Sequence, residues 1–593
     1  MAAQKIENLI TDHLDLWTAA VRPKSSAGRG SNSKLELTGI KKLRELILEL
    51  AVRGKLVPQD PSDEPASVLL ERIAAEKTRL VKEGKIKKPK ALPEISEEEK
   101  PFELPEGWEW SMLAEITAIN PRNEIDDAVD ASFVPMSLIS TSYNGQHEFE
   151  ARKWGEIKKG FTHFANGDIG IAKITPCFEN SKAAVFSGLI NGIGAGTTEL
   201  HIARPYTDYV SAFFILLNIK SPIYLKKGEA GMTGTAGQKR LGKDFFSFYP
   251  LPIPPLAEQH RIVAKVDELM ALCDQLEQCS ESQLAAHQTL VEALLATLAD
   301  STDADELAQN WARLSTHFDT LFTTEASIEA LKQTILQLAV MGKLVSQDPS
   351  DEPAPTLLAR IAAEKARLVK EKKIKKEKPL PAISEDEKPF ELPQGWAWCR
   401  FEDIVDIQSG ITKGRKLTNR VLTTVPYLSV ANVQRGYVDV TGIKSVELPV
   451  DEIEKYQVLN GDLLITEGGD WDKVGRTAIW ADEMPYVAHQ NHVFKARKFL
   501  QEQDESWLEM FLNGPSARNY FAGSSKQTTN LASINKTQLR GCLIAIPPKN
   551  EKSCIVAKVD ELMNLCDQLK ARLQTSQQTQ LALAESLVEG ALS

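Results

Sequence analysis

Residues 43–110 of this chain occur twice. The stretch LRELILELAVRGKLVPQDPSDEPASVLLERIAAEKTRLVKEGKIKKPKALPEISEEEKPFELPEGWEW returns at residues 331–398 without a gap, at an offset of 288 and with most positions identical. A second pair follows: IVAKVDELMALCDQL at residues 262–276 comes back as IVAKVDELMNLCDQL at residues 555–569, now at an offset of 293. Between the copies lie two long stretches that barely resemble each other. Solenoid repeats recur every 20 to 50 residues, so a period of this size means a duplicated domain with its connector. Two near-identical frames hold two different inserts, which suits a protein that presents two different surfaces on one pseudo-symmetric scaffold.

At 593 residues the chain is too long for a single core. With 42% hydrophobic and 25% charged residues it has the composition of an ordinary globular protein. The longest apolar run, around residues 210–219, is shorter than the ~18 residues a membrane span needs. The start, MAAQKIENLITDHLDLW, lacks the charged-then-apolar pattern of a secretion signal, so a cytoplasmic location is expected. Seven cysteines without a CxxC pair argue against a disulfide framework or a zinc site. Cys273 and Cys566 hold equivalent positions and read as small core residues.

The net charge of −11 first argues against nucleic acid. Its distribution reverses that argument. Residues 108–252 carry 14 Lys and Arg against 15 Asp and Glu, and residues 396–545 carry 17 against 18, so most of the excess sits in the frames. Within the inserts the cations cluster. Lys413, Arg415, Lys416, Arg420 and Arg435 occur with no acid between Ile411 and Val438, and Lys220, Lys226, Lys227, Lys239, Arg240 and Lys243 are opposed only by Glu229. Such runs are compatible with phosphate contacts and equally with a solvated face.

The frames read as helices. Ile262, Val266, Leu269, Cys273 and Leu276 alternate spacings of four and three, resuming at Leu290, Leu294 and Leu298; the second copy has Ile555, Val559, Leu562, Cys566 and Leu569, then Leu573, Leu583 and Leu587. An average of 3.5 is the period of a coiled-coil seam. Polar interruptions at Ser280, Gln283 and His287, and at Ser576 and Gln580, suggest that the two helices pair with one another. A helix of about 40 residues spans roughly 60 Å, so an antiparallel pair would act as a ruler between the inserts. The other repeated piece opens as a helix (Leu43, Ile47, Leu50 and Ala51; Leu331, Ile335, Leu338 and Ala339), breaks at QDPSDEPA, resumes as a second helix, and ends in a lysine-rich, proline-punctuated linker expected to be extended. Linker lysines at 85, 87, 88 and 90, and at 372, 373, 375, 376 and 378, could touch phosphates, although solvation alone accounts for them.

Both inserts open with Gly-Trp-x-Trp, continue as short β-type runs divided by Gly, Pro and Asn, and close on Ile-Pro-Pro at Ile253 and Ile546. Asn166-Gly167-Asp168-Ile169 matches Asn460-Gly461-Asp462-Leu463, and Val134-Pro135 matches Val425-Pro426. The inserts therefore read as one α/β fold with diverged loops. No catalytic set emerges. The glycines of NGIGAGT lack the strand-to-helix context of a dinucleotide site, GQKRLGKD puts Asp244 where a phosphate loop needs Ser or Thr, and His489-Gln490-Asn491-His492 lacks a third metal ligand. Asn120-Pro121-Arg122 is the nearest approach to the motif of an amino-methyltransferase and fails it.

Repeated frames, two unlike inserts, and the run PLPIPPLAEQHRIVAKVDELM after the first of them together resemble the specificity subunit of type I restriction-modification enzymes, over essentially the whole chain. The most specific piece is IPPLAEQHRI at residues 253–262; its second copy, IPPKNEKSCI, loses the wording but keeps the place. Length and N-terminal frame look like the branch often called type IB. The resemblance implies an α+β, multidomain fold, with two α/β target-recognition domains separated by long helices that form an antiparallel coiled-coil-like spacer in an internal pseudo-two-fold repeat. The expected divisions are an N-terminal helical region over 1–104, target-recognition domains over 105–253 and 395–546, a central helical region over 254–394 and a C-terminal helix over 547–593.

The resemblance further implies a chain that is not itself an enzyme. Each recognition domain would read half of a split, asymmetric sequence in double-stranded DNA. Two modification (methyltransferase) subunits would bind the frame, and restriction (nuclease/translocase) subunits would join them in a site-specific deoxyribonuclease and adenine-N6 methyltransferase complex. S-adenosylmethionine, ATP and Mg2+ are then expected in the partners and none in this chain, with an adenine flipped out for methylation. Half-sites one helical turn apart, about 34 Å, fall within reach of such a ruler.

For base readout, forked donors and acceptors on insert loops are the candidates. They are Lys173, Thr175, Asn180, Lys182, Gln238, Lys239, Arg240 and Lys243 in the first domain, and Lys413, Arg415, Lys416, Lys473, Arg476, Lys526, Gln527, Asn530 and Lys536 in the second. TAGQKRLGKD and SSKQTTNLASINK stand at equivalent places before the closing Ile-Pro-Pro. The competing reading is a cytoplasmic scaffold whose two diverged domains hold protein clients.

Overall fold

A computed structural model describes residues 8–23, 35–86, 92–235, 237–301, 304–412, 414–415, 417–469, 473–528 and 531–592. The chain forms two compact units: residues 1–284 with 575–593, and residues 285–574.

In the first unit the frame begins with the helix Thr38–Val52, which buries Leu43, Ile47, Leu50 and Ala51. In the second unit the helix Glu325–Val340 buries Leu331, Ile335, Leu338 and Ala339. Each ends at a glycine that no other residue can replace without strain. Gly54 has φ +65°, and a Cβ there would lie 2.5 Å from the Pro105 ring and 2.9 Å from Trp108; Gly342 has φ +70°, with Pro393 and Trp396 at 2.6 and 2.9 Å. The QDPSDEPA loop then leads to the second helices, Ala66–Lys82 and Ala354–Lys370, as the prolines require.

Each inserted domain is closed by its own ends. The strand Glu109–Met112 runs antiparallel to Pro250–Ile253, and Ala397–Arg400 runs antiparallel to Leu543–Ile546. Just outside this two-stranded clasp, the Trp108 indole donates to Glu258 Oε2 at 3.0 Å, and the Trp396 indole donates to Glu551 Oε2 at 3.0 Å. Both carboxylates lie in the first turn of a long helix, where the helix dipole favours negative charge. Gln259, beside Glu258, is fully buried; its side chain accepts from the Ser211 amide at 2.7 Å and donates to Pro254 O at 2.9 Å. The PLAEQ wording thus marks a buried, hydrogen-bonded joint between domain and helix. The second copy substitutes the buried Lys552 for Gln259 and keeps the glutamate.

Between clasp strands, the two domains share a topology. One four-stranded antiparallel sheet has the order 117–119, 200–205, 169–172, 183–185, and its counterpart has 405–408, 493–498, 463–466, 477–479. In a second sheet, Asp130–Val134 pairs antiparallel with Glu150–Lys153 and parallel with Ile193–Gly196; Leu422–Leu428 pairs likewise with Lys444–Pro449 and Ala488–His489. Three helices follow in each, Ala212–Lys220, Pro222–Ala230 and Lys243–Phe248 against Glu505–Asn513, Pro515–Ser524 and Lys536–Gly541. Val134 ends its strand whereas Val425 lies inside the matching one, so that pair aligns only loosely.

The shared NGD turn has a shared purpose. Asp168 accepts from the Ala165 amide at 2.7 Å and takes the fork of Arg204 at 2.8 and 2.7 Å. Asp462 does the same with the Leu459 amide at 2.8 Å and Arg497 at 2.7 and 2.6 Å. Each pair crosses two neighbouring strands of the antiparallel sheet beneath a buried carboxylate. The NGIGAGT glycines serve packing as well: a Cβ on Gly194 would meet Phe164 at 2.4 Å and one on Gly196 would meet Val134 O at 2.4 Å, while Phe164 stacks on Phe186 at 3.8 Å.

The long helices are Leu256–Ala299 and Lys549–Leu592, 44 residues each. In the first unit Ile262, Val266, Leu269 and Cys273, with Leu276 at the edge, share one core with Leu581 and Ala584. In the second unit Ile555, Val559 and Cys566, flanked by Leu562 and Leu569, share one core with Val291 and Leu295. The pairing within each unit is antiparallel, because a frame lysine near the start of one helix caps the end of the other. Lys55 donates to Leu592 O at 2.8 Å, and Lys343 donates to Ala299 O at 2.9 Å, a cation at each helix C-terminus. Beyond its polar interruptions the expected seam is kept only in part. Leu298 is buried and Leu294, Leu573 and Leu587 pack against the two cores as expected, but Leu290 and Leu583 are half exposed while Val291, Leu295, Leu581 and Ala584 take buried positions, since a helix turning at 3.6 residues drifts off a strict 3.5 repeat. Among the described residues no helix is long and apolar enough to cross a membrane.

Replacing Arg204 or Arg497 by Met strands a buried carboxylate. Each variant is expected to lose about 3 kcal/mol in urea unfolding of the full chain, and an unchanged transition would contradict the role given to the pair.

Candidate nucleic-acid interface

In both domains the NGD strand runs on into a three-segment ribbon. In the first, the Lys173 amide donates to Glu199 O at 2.9 Å and its carbonyl accepts from the Leu241 amide at 2.7 Å; Thr233 and Arg240 exchange backbone bonds at 3.1 and 2.8 Å. In the second, the Glu467 amide donates to His492 O at 2.9 Å and its carbonyl accepts from the Ile534 amide at 2.9 Å. There the ribbon is regular enough to form strands, Gly468–Gly469, Leu531–Ser533 and Lys526–Thr528, with Lys526 opposite Ser533. The isolated bridges Ile174 to Arg240 and Thr233 to Arg240 are the first-domain versions of the same pairings.

The ribbon gathers most of the first-domain candidates. The Thr175 amide donates to Lys239 O at 3.0 Å, and Thr175 Oγ1 accepts from the Lys239 amide at 3.1 Å, which buries Thr175 as a strut. Lys173 is half-buried, whereas Gln238, Lys239, Arg240 and Lys243 are exposed, and Asn180 is exposed on the adjoining loop. The Arg240 fork closes on Glu199, Nε to Oε2 at 3.0 Å and Nη2 to Oε1 at 2.9 Å. That bond holds the Glu199 carboxyl below the usual glutamate value.

Two candidates are turned inward at equivalent places. Ala172 donates to Lys182 O as Thr466 does to Arg476 O, so Lys182 and Arg476 leave their loops at one structural position. Lys182 Nζ donates to Met136 O at 2.8 Å; Arg476 donates to Val430 O at 3.3 Å and to Gln434 Oε1 at 2.5 Å. Both cations brace the loop against the same neighbouring segment.

In the second domain Lys413, Lys416 and Asn530 lie outside the described residues, as do the side chains of Lys526 and Gln527. Lys473 is exposed, and its carbonyl accepts from Thr466 Oγ1 at 2.8 Å. Lys536 begins its short helix, as Lys243 does, and pairs with Glu377 at 2.8 Å. The acid-free run over residues 411–438 is not acid-free in space. Arg415 pairs with Glu452 at 2.6 Å, and Arg420 bridges Asp451 and Glu452, because antiparallel pairing brings the end of Lys444–Pro449 back beside the start of Leu422–Leu428. Lys220 likewise leaves the expected surface cluster: it is buried, donates to Ser181 O at 2.5 Å, and burial pushes its pKa down to about 7.

Glu199, Glu467 and His492 belong to the ribbon and escape a search for forked donors and cations. His492 Nδ1 lies 2.5 Å from Glu467 Oε2, with the imidazole more than half exposed. Its neighbour His489 is a core residue, held at Val493 O at 2.7 Å, with burial pushing its pKa down to about 3.

A duplicated α+β chain with one polar ribbon per inserted domain defines a two-domain recognition protein. The family profile described as type I restriction modification DNA specificity domain matches residues 105–286 and 393–576. Over 99% of its length the chain is 53% identical to the type I restriction enzyme EcoEI specificity subunit of Escherichia coli and 54% identical to the EcoAI specificity subunit of Escherichia coli, covering all of each. A crystal structure of an HsdS subunit from Thermoanaerobacter tengcongensis aligns at 18% identity and a TM-score of 0.40, over 83% of this chain and 98% of that one. The chain belongs to the type I restriction enzyme specificity subunits, and it serves as the DNA sequence-recognition subunit of a type I restriction-modification system.

Removing the loop braces by Lys182→Met or Arg476→Met is expected to speed limited proteolysis several-fold within residues 176–181 or 473–475 of the full chain, the rest of the cleavage pattern staying as in wild type. Unchanged cleavage would count against the brace.

Proposed function

We propose that the two ribbons read two unlike DNA half-sites, one per domain. The observation that carries the reading is a common backbone register with different side chains on it: Lys173, Glu199 and Arg240 in one domain stand where Glu467, His492 and Ser533 stand in the other. One fold presents the same surface shape twice and a different hydrogen-bonding pattern each time, which is what a bipartite asymmetric target demands.

The chain acts without catalysis of its own. Two modification subunits dock on equivalent frames, since a duplicated surface offers the same contact twice to identical partners, and restriction subunits join that core. S-adenosylmethionine, ATP and Mg2+ belong to those partners, and the assembly works in the cytoplasm. The exposed Lys239 and Lys243 supply phosphate contacts that position the ribbon.

In the assembled complex, Lys239→Ala with Lys243→Ala is expected to weaken DNA binding uniformly across sequences and to flatten the salt dependence by about one unit of slope per lysine. Footprinting should show the loss over one half-site. Binding that is insensitive to salt, or a complex that retains no DNA, would favour the protein-scaffold reading. Methyl transfer by the isolated chain would overturn the non-catalytic assignment.

A further inference from the structure

The two ribbons differ in the sign of what they offer. In the first domain the position after the NGD strand is Lys173, the position opposite it is Glu199, and the hairpin arm contributes Arg240. The same three places in the second domain hold Glu467, His492 and Ser533. The backbone bonds that define these places agree within about 0.2 Å, at 2.9 and 2.7 Å in one domain and 2.9 and 2.9 Å in the other. Three elements next to them are common to both domains: the NGD turn, its Asp–Arg pair on a buried carboxylate, and the loop brace onto Met136 O or Val430 O.

Each trio carries one side-chain pair across the ribbon, and the partners trade places. The first-domain carboxylate, Glu199, sits at the opposite position and is clasped by Arg240 on the hairpin arm. The second-domain carboxylate, Glu467, sits at the strand exit and is clasped by His492 at that opposite position. Arg240 is about half exposed, His492 slightly more, and Ser533 is open to solvent. A structural ion pair is built on a buried carboxylate and kept alike in both domains, as Asp168–Arg204 and Asp462–Arg497 are, whereas Glu199 and Glu467 are each about a quarter exposed. These pairs are surface groups, already oriented, and altered in kind while their backbone is not.

We propose that these three equivalent positions determine which bases each domain accepts, a reading that rests on the DNA-recognition function proposed above. Arg240 directs the forked donors of the first ribbon to a base that presents two acceptors in the major groove, as guanine does; Glu467 makes the second ribbon an acceptor for a base amino group, as on cytosine or adenine. The Glu199 and His492 partners hold the two reading groups in place before DNA arrives.

The test uses the complex of this chain with its modification subunits. Its target is first found from the methylation pattern in cells, and binding is then measured to duplexes bearing single base substitutions in each half. Arg240→Ala should lower discrimination in the first half-site at least tenfold and leave the second unchanged, and Glu467→Gln should do the reverse. A reversed pair, Glu199→Arg with Arg240→Glu, keeps the ion pair and so separates reading from support. It should fail to restore first-half discrimination, whereas full restoration would mean the pair is structural and would overturn the proposal. Unaltered discrimination in all three variants, with the wild-type complex binding its bipartite target, overturns the assignment of these positions alone. A wild-type complex that prefers no DNA sequence overturns the underlying function instead.

Discussion

Everything variable in this protein hangs from a latch that does not vary. Trp108 on Glu258, and Trp396 on Glu551, join the last residues of a frame to the first turn of a long helix at the point where each inserted domain begins and ends. The clasp strands next to them bring the two ends of each domain together. Because both ends of an insert leave the frame at one place, loops between them can change without disturbing the helices. The indole–carboxylate bonds are buried, so a lost partner leaves an unpaired polar group in an apolar setting, which is costly.

The second constraint is reciprocity. Each unit holds the beginning of one long helix and the end of the other, and a lysine from its own frame caps the helix that arrives from elsewhere in the chain, Lys55 at Leu592 and Lys343 at Ala299. Frame helix and long helix are tied again at matched positions, by Arg44 with Asp274 and by Lys332 with Asp567. Each unit completes its own core with segments of both long helices, Leu581 and Ala584 in the first and Val291 and Leu295 in the second.

Much of this is legible along the chain. Frame helices, their break at QDPSDEPA, the NGD turn, the closing Ile-Pro-Pro and the equivalence of TAGQKRLGKD with SSKQTTNLASINK all rest on local patterns of spacing and turn chemistry. Local pattern misleads where partners come from distant sequence or where a helix departs from a strict heptad. Arg415 and Arg420 sit in an acid-free run, yet Asp451 and Glu452 reach them through a strand pairing. Lys220 ends a helix whose neighbours bury it. Leu290 and Leu583 continue a heptad that the turn of the helix does not keep.

By itself the sequence determined that two copies of one frame carry two diverged versions of one domain, because identity at constant offset is a property of the chain. Only the tertiary structure decided which residues stand at the same place in those domains. Glu199 and His492 share neither type nor obvious alignment, and they become equivalent only when strand register sets Lys173 beside one and Glu467 beside the other. Register is a matter of hydrogen bonds between segments far apart in sequence, so the correspondence that separates the two readers exists only in the folded chain.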